Sequence, residues 1–476
     1  MKLSTLVAPG KGAAVPIHTA SRAGFGKWLA GEAPRARAWL RGTGFEGRAG
    51  QVSLLAAPDG ALERVYLGIP DGDDAQAMVN DGALWAFAAC PSSLPEATYA
   101  LADRADAALA GQAALGWALG SYRFERYRKQ KGRALARLVW PARADRAAVE
   151  SAALATYLVR DLINTPAQDM GPPELASAAR ALAREFGARF SVTTGAQLLK
   201  KHFPAIHAVG RAAAKAPGLI DITWQPKGRA AKKLKRVTIC GKGVCFDTGG
   251  LDLKSSGNMQ LMKKDMGGAA QALGLARMIM AAKLPVRLRV LIPAVENSVA
   301  GNAYHPRDVL ATRKGITVEV GNTDAEGRIV LSDAMALACE EGCDLLLDFA
   351  TLTGAARVAL GTGLPAMFCN DDQLAARAFA AGEETADPLW RLPLWRPYRE
   401  KLNSKVADIN NISSGSFGGA ITAALFLQEF VAPGTPWIHL DFMAWNESSR
   451  AGRPEGGEAQ GMRALYRMIE RHYARG

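Results

Sequence analysis

The stretch Asn322-Thr323-Asp324-Ala325-Glu326-Gly327-Arg328 places two carboxylates and a guanidinium at every second position, and no other part of the chain constrains the fold as much. In an extended segment those three side chains share one face. Ala325 and Gly327 keep the intervening backbone slim. A doubly acidic face calls for a cation, and a hard metal ion is the natural one. Read alone, the stretch is a solvated turn of alternating charge. Upstream residues change that reading. Gly241-Lys242-Gly243-Val244-Cys245-Phe246-Asp247-Thr248-Gly249-Gly250, then Lys254, then Met262-Lys263-Lys264-Asp265-Met266-Gly267-Gly268 supply two more acids, each near glycines.

Local patterns place all four acids on loops. Residues 236–240 read as a short β-branched strand, so Lys242 and Asp247 fall in the Gly-rich turn after it. Asp265 precedes an apolar, alanine-rich helical run at 266–282. Residues 316–320 are strand-like and deliver Asp324 and Glu326 at their carboxyl end, with a helix expected over 329–343. In an open α/β sheet, ligands bind beyond the carboxyl ends of the strands. Four carboxylates converging there repel one another and take up protons unless cations intervene. Two divalent ions about 3.5–4 Å apart remove the conflict, hold a hydroxide between them and polarise a carbonyl, which is a hydrolase's equipment.

On G-K-G-V-C-F-D-T-G-G, K-K-D-M-G-G-A-A, N-T-D-A-E-G-R and the intervals between them, the chain resembles the leucyl (cytosol) aminopeptidases, two-metal exopeptidases, from about Ala155 onward. The resemblance implies one metal on Lys242, Asp247, Asp265 and Glu326 and a second on Asp247, Asp324 and Glu326, with Asp247 and Glu326 bridging. Lys242 would have to be neutral to donate its lone pair, which two nearby cations favour. Lys254 would stabilise the developing oxyanion. Arg328 would hold a bicarbonate ion acting as general base, its planar fork suiting a bidentate oxyanion. The metal-bridging water would attack the first carbonyl of a peptide whose free α-amine binds metal, releasing the amino-terminal residue. Zinc and manganese are the expected ions. Met262, Thr351 and Gly354 match positions lining the family's first-residue pocket, which favours leucine or another apolar residue; neighbouring aliphatic side chains differ there by only about 1–3 kcal/mol. The family pattern gives no metal role to any of the six histidines, and His305 reads as a surface residue. One departure is His439-Leu440-Asp441-Phe442-Met443-Ala444-Trp445-Asn446, where many relatives carry an alanine-glycine step after the aspartate.

A chain of 476 residues suggests two domains. The expected fold is α/β: a smaller amino-terminal α/β domain over residues 1–150, then a larger catalytic α/β domain over 151–476 with a central mixed sheet flanked by helices. By resemblance the first domain serves oligomer assembly, and the family's form is a homohexamer. The six cysteines show no C-x-x-C spacing, and reduced thiols in a cytoplasm fit them. Residues 1–10 fall short of a signal-peptide core, no segment reaches membrane-spanning length, and runs such as 107–120 read as amphipathic soluble helices. The net charge of +13 supports a second class of function, nucleic-acid binding. Its basic clusters are residues 123–137, where Arg123, Arg126, Arg128, Lys129, Lys131, Arg133 and Arg137 interleave with Tyr122, Phe124 and Tyr127, and residues 227–236, with Lys232, Lys233, Lys235 and Arg236. No helix-turn-helix, RNP or zinc-finger signature accompanies them. An inactive oligomer retaining the fold is a third class, against which all four acids stand intact.

Overall fold

The computed structural model describes residues 3–10, 12–71, 82–102, 105–129, 132–228 and 234–474. These form two compact units. One is Met1–Tyr157 with Glu383–Ala386 and Ser448–Glu455; the other is Leu158–Gly382 with Asp387–Glu447 and Gly456–Gly476.

The first unit is built on β1 (Leu6–Val7), β2 (Val15–Ser21), β3 (Val52–Ala56), β4 (Leu62–Ile69), β5 (Thr98–Leu101) and β6 (Arg137–Val139), in the order β1-β6-β5-β2-β4-β3. All neighbours are parallel except the β3–β4 hairpin. Phe87, Tyr99, Trp117 and Leu138 fill its core. The helix Ala107–Gly120 departs from the amphipathic expectation, being apolar nearly all round and buried over most of its second half. Its glycines explain this. A Cβ on Gly116 would lie 2.1 Å from the Leu84 carbonyl oxygen, and one on Gly120 would lie 1.9 Å from that of Ala88. The helix Ala83–Ser93 therefore packs against it backbone to backbone, leaving few solvated faces on either.

The second unit holds a mixed sheet. Its strands are β7 (Arg189–Thr194), β8 (Gly218–Trp224), β9 (Lys235–Gly241), β10 (Gly243–Asp247) and β11 (Val286–Asn297), joined by later strands of the chain. Between them and the last group come β12 (Val309–Ala311) and β13 (Thr317–Glu319), which with β17 (Ile409–Asn410) make a separate three-stranded sheet. The main sheet adds β14 (Leu345–Ala350), β15 (Ala366–Cys369), β16 (Trp390–Arg391) and β18 (Trp437–Asp441), in the order β16-β15-β18-β14-β9-β11-β8-β7. β14 is buried along its whole length, as a central strand covered on both faces must be. The long strand β11 pairs in parallel with β9 through Leu291↔Cys240 and then with β10 from Ala294↔Gly243. The chain thus breaks at Lys242 and resumes on the same neighbour. Gly241 and Gly243 permit the break: a Cβ on the first would meet Gly268 O at 2.7 Å, and one on the second Pro293 O at 2.8 Å. No described helix is long and apolar enough to cross a membrane.

Candidate metal centre

The four acids come from four kinds of local structure, not from loops alone. Asp247 closes β10, Asp265 lies in the 3-10 turn Met262–Met266, Asp324 sits in a turn, and Glu326 opens the helix Glu326–Glu340. The extended alternation expected for 322–328 is therefore corrected. Asn322 Oδ1 accepts from the Asp324 backbone N–H at 2.6 Å, an Asx turn that bends the chain into the helix three residues earlier than expected. Glu326 and Arg328, two apart on that first turn, consequently do not share a face. The helix ends at Glu340, before Gly342, whose φ of 72° is left-handed.

The topology then gathers these residues. Lys242 Nζ lies 2.8 Å from Asp265 Oδ2, 2.8 Å from Glu326 Oε1 and 3.0 Å from the Thr351 carbonyl oxygen. Lys254 Nζ is 2.7 Å from Asp247 Oδ2 and also contacts Asp324 Oδ1. One oxygen each from Asp247, Asp265 and Glu326 fall within 4.8 Å of one another. Gly327 is required beside them, because a Cβ there would sit 2.6 Å from Lys242 Cε. The slim backbone anticipated at this position makes room for the lysine stem.

Lys242, Asp247, Asp265 and Glu326 are each 3% exposed or less, and burying charges is costly unless they are paired. Burial alone would lower the Lys242 pKa, but Asp265, Glu326 and Asp247 outweigh it and hold the ammonium well above its usual range. Burial likewise opposes ionisation of Asp265, yet Lys242, Lys264 and the Thr351 hydroxyl keep it below the usual carboxylate range. The other two acids go the opposite way. Burial and the neighbouring Asp247 charge push Glu326 up to about 8 and Asp324 to about 6, against the pull of the lysines. Arg328 is lowered to about 10, chiefly by burial; its Nη1 donates to Asn411 O at 2.7 Å, while its Nε is buried without an acceptor.

Met262 is buried in the same turn as Asp265, whereas Gly354 is exposed at the start of the helix Gly354–Leu360. The Thr351 hydroxyl donates to Asp265 Oδ1 at 2.8 Å. His305 is exposed, as expected, and lies 3.6 Å from Asp308. Cys245 is buried, and burial raises its thiol well above the usual range. Several residues of the site escaped the sequence reading. Asn297 Nδ2 donates to Asp247 Oδ1 and to Thr323 O, at 2.9 and 3.0 Å. The Thr323 hydroxyl donates to Gly249 O at 2.6 Å and accepts from the Asp252 N–H at 2.8 Å, tying the loops that carry Lys254 and Asp324. Tyr304 Oη also donates to Thr323 O, at 2.6 Å. Lys264 is fully buried 3.4 Å from Asp265, with its ammonium lowered by burial to about 8.

A divalent cation fits this donor set. Asp265 Oδ2, Asp324 Oδ1 and both oxygens of Glu326 are buried yet accept no hydrogen bond, the lysine contacts being close without hydrogen-bond alignment. Buried carboxylate oxygens held only by lysine charges are what a hard ion takes up. Residues 157–466 match the catalytic domain of the cytosol aminopeptidase family, and residues 15–141 match the amino-terminal domain of the M17 aminopeptidases. The chain belongs to the cytosol aminopeptidase family. A probable cytosol aminopeptidase of Streptomyces avermitilis is 37% identical over 90% of this chain and 88% of its own. The crystal structure of the cytosol aminopeptidase of Coxiella burnetii superposes with a TM-score of 0.91 at 47% identity, covering 99% of this chain and 100% of that one. The bottromycin maturation enzyme BotP in complex with Mn gives 0.85 at 36% identity, over 96% and 99%. Family membership makes the protein a metal-dependent aminopeptidase, a hydrolase of peptide bonds. The nucleic-acid reading gains nothing from these matches; of its residues Lys131, Lys232 and Lys233 lie outside the described ones.

Proposed function

We propose that this aminopeptidase removes leucine and other apolar residues from the amino ends of peptides, using two divalent ions at the Asp247–Asp265–Asp324–Glu326 cluster. The observation carrying this reading is the set of buried carboxylate oxygens that accept no hydrogen bond. Lys242, Asp247, Asp265 and Glu326 would hold one ion, and Asp247, Asp324 and Glu326 the other. Oxygen-rich ligation suits zinc or manganese; the manganese complex of BotP is a precedent in a similar chain. When bound, the ions supply Lewis acidity toward the first carbonyl and toward the attacking water. Lys242 has to give up a proton to coordinate, against the three carboxylates that hold it. Lys254, on a loop tied down by Thr323 and Asp252, donates to the carbonyl oxygen as charge develops there. Arg328 would hold a bicarbonate by its unengaged Nε edge, and that ion would supply a general base. Met262, Thr351 and Gly354 would line the first-residue pocket, with Met262 contributing apolar wall.

We read residues 1–150 as an assembly domain of a homohexamer and the enzyme as cytoplasmic. The test is hydrolysis of leucine p-nitroanilide at mildly alkaline pH by stripped protein refilled with manganese or zinc, beside Lys254→Ala. Metal-dependent release is expected, with kcat lowered about 10²–10³-fold in the variant and KM little changed. Folded, metal-loaded protein that ignores this substrate and a panel of dipeptides would overturn the proposal.

A further inference from the structure

At the opposite end of the catalytic sheet from the metal centre, the strand register collects arginines. Arg189 on β7 is opposite Thr223 on β8, which is opposite Arg289 on β11, which neighbours Thr238 on β9; Arg287 neighbours Arg236 in the same β11–β9 pair. Cross-strand partners share a face, and so do residues two apart along a strand. These side chains line a cleft of about 430 Å³ at the amino ends of β7, β9 and β11. The rise per residue from Arg289 to Asn297 puts it roughly 25 Å from the metal ligands.

The cleft is not electrically balanced. Its four guanidinium groups meet two carboxylates, Asp221 and Glu341, and both are engaged by Arg289 at 2.7 and 2.5 Å. Nη1 of Arg289 is buried with no aligned acceptor even so. Arg236 Nη1 donates to the Glu341 carbonyl oxygen at 2.6 Å. The exposed side chains of Arg189 and Arg287 have no hydrogen-bond or ion-pair partner among the described residues. Like charges side by side on a sheet destabilise it, so such an arrangement calls for an anion.

We propose that this cleft is a second binding site, taking a small phosphate-bearing ligand. Guanidinium forks match phosphate oxygens two at a time, and the hydroxyls of Thr223 and Thr238 add donors between them. The volume lies in the small-molecule range, and a cleft of that size suits a compact dianion better than a duplex.

Calorimetric titration of the metal-loaded enzyme at low salt tests this, with inorganic phosphate, adenosine monophosphate and a short DNA duplex as probes. Phosphate and the nucleotide are expected to bind, with affinity falling tenfold or more in Arg189→Ala/Arg287→Ala, while leucine p-nitroanilide turnover without ligand is unchanged in that variant. Equal affinities for the two would assign recognition to the phosphate group alone, and a tighter nucleotide would assign contacts to the base as well. No binding at millimolar concentration, or binding the variant leaves intact, overturns the site. Duplex binding lost in the variant, without binding of the small anions, overturns it in favour of a macromolecular surface. The readout is heat of binding, so it stands apart from the outcome of the peptidase assay.

Discussion

Glu458 and Glu326 are both buried glutamates set against a buried cation in the catalytic unit, and their oxygens are treated in opposite ways. Arg160 donates to Glu458 Oε1 and Oε2 at 3.0 and 3.1 Å, Asn446 Nδ2 to Oε2 at 2.6 Å, and the Ala459 N–H to Oε1 at 2.8 Å. That carboxylate is saturated. Glu326 has Lys242 Nζ at 2.8 Å, and neither of its oxygens accepts a hydrogen bond. A planar guanidinium closes its pair, whereas a lysine point charge leaves oxygens open. The contrast separates a charge that holds the fold from a charge kept for chemistry, because a buried unsatisfied oxygen costs free energy that an inert position has no reason to bear.

The contrast breaks first at Glu326→Gln. Removing the charge while keeping the shape should lower peptidase turnover about 10³-fold or more, the equivalent of several kcal/mol of lost Lewis-acid stabilisation. The metal content per chain should fall with it, and near-ultraviolet circular dichroism should stay native. A variant retaining its metal and a tenth of the activity would place Glu326 with the structural charges. Glu458→Ala should do the reverse. Leaving Arg160 buried without its partner should cost about 3–5 kcal/mol, seen as a shifted urea midpoint, while the molecules that remain folded keep their metal and their turnover. Loss of metal in that variant would erase the distinction.

The sequence motifs pointed to the three acids that the fold gathers, Asp247, Asp265 and Glu326, and to Asp324 beside Lys254, because each has a glycine within three residues that hints at close approach. They did not name what orients the acids. Asn297 ends β11, and its bond to Asp247 exists because β10 and β11 register Asp247↔Asn297, a pairing between segments fifty residues apart. The helical start at Glu326 was equally hidden, since alternation of charge and small residue is the same text for a strand and for an Asx turn leading into a helix. The α/β class and the two-part organisation could be read from strand and helix patches; the order of the mixed sheet could not, since it depends on long-range pairing such as β9 with both β11 and β14. The close approach at Gly116 and Gly120 was invisible for a related reason: glycine in an alanine-rich run reads as a mild helix breaker until its neighbour across the gap is known.

Thr351→Val sharpens the comparison at smaller scale. The substitution keeps the branched side chain and removes only the donor to Asp265 Oδ1. Partners of this kind orient metal ligands, and their loss weakens metal affinity about 10–100-fold. The expected signature is a metal titration of activity displaced to higher concentration, with turnover recovering at saturation. If the midpoint does not move and the preference for leucine does, Thr351 belongs to the pocket, as the family resemblance suggested.

The gentlest effect is on stability against pH in chelator-treated protein. Glu326 is raised from 4.5 to about 8 and Asp324 from 3.8 to about 6, in each case by burial first and the Asp247 charge second. Over those intervals the folded chain holds protons that the unfolded chain has released, so by linkage stability falls as pH rises from about 5 to about 8. Divalent ions compete with those protons for the same oxygens, so refilled protein should lose this slope or invert it. Other groups titrate in the same window, and the comparison is therefore with Glu326→Gln, whose amide has no proton to release and whose slope should be shallower. Thermal midpoints of the two proteins at pH 5 and pH 8, with and without manganese, give the answer. If the chelated wild type and the variant decline in parallel, Glu326 is already ionised without metal, and its unsatisfied oxygens are stabilised by the lysines alone.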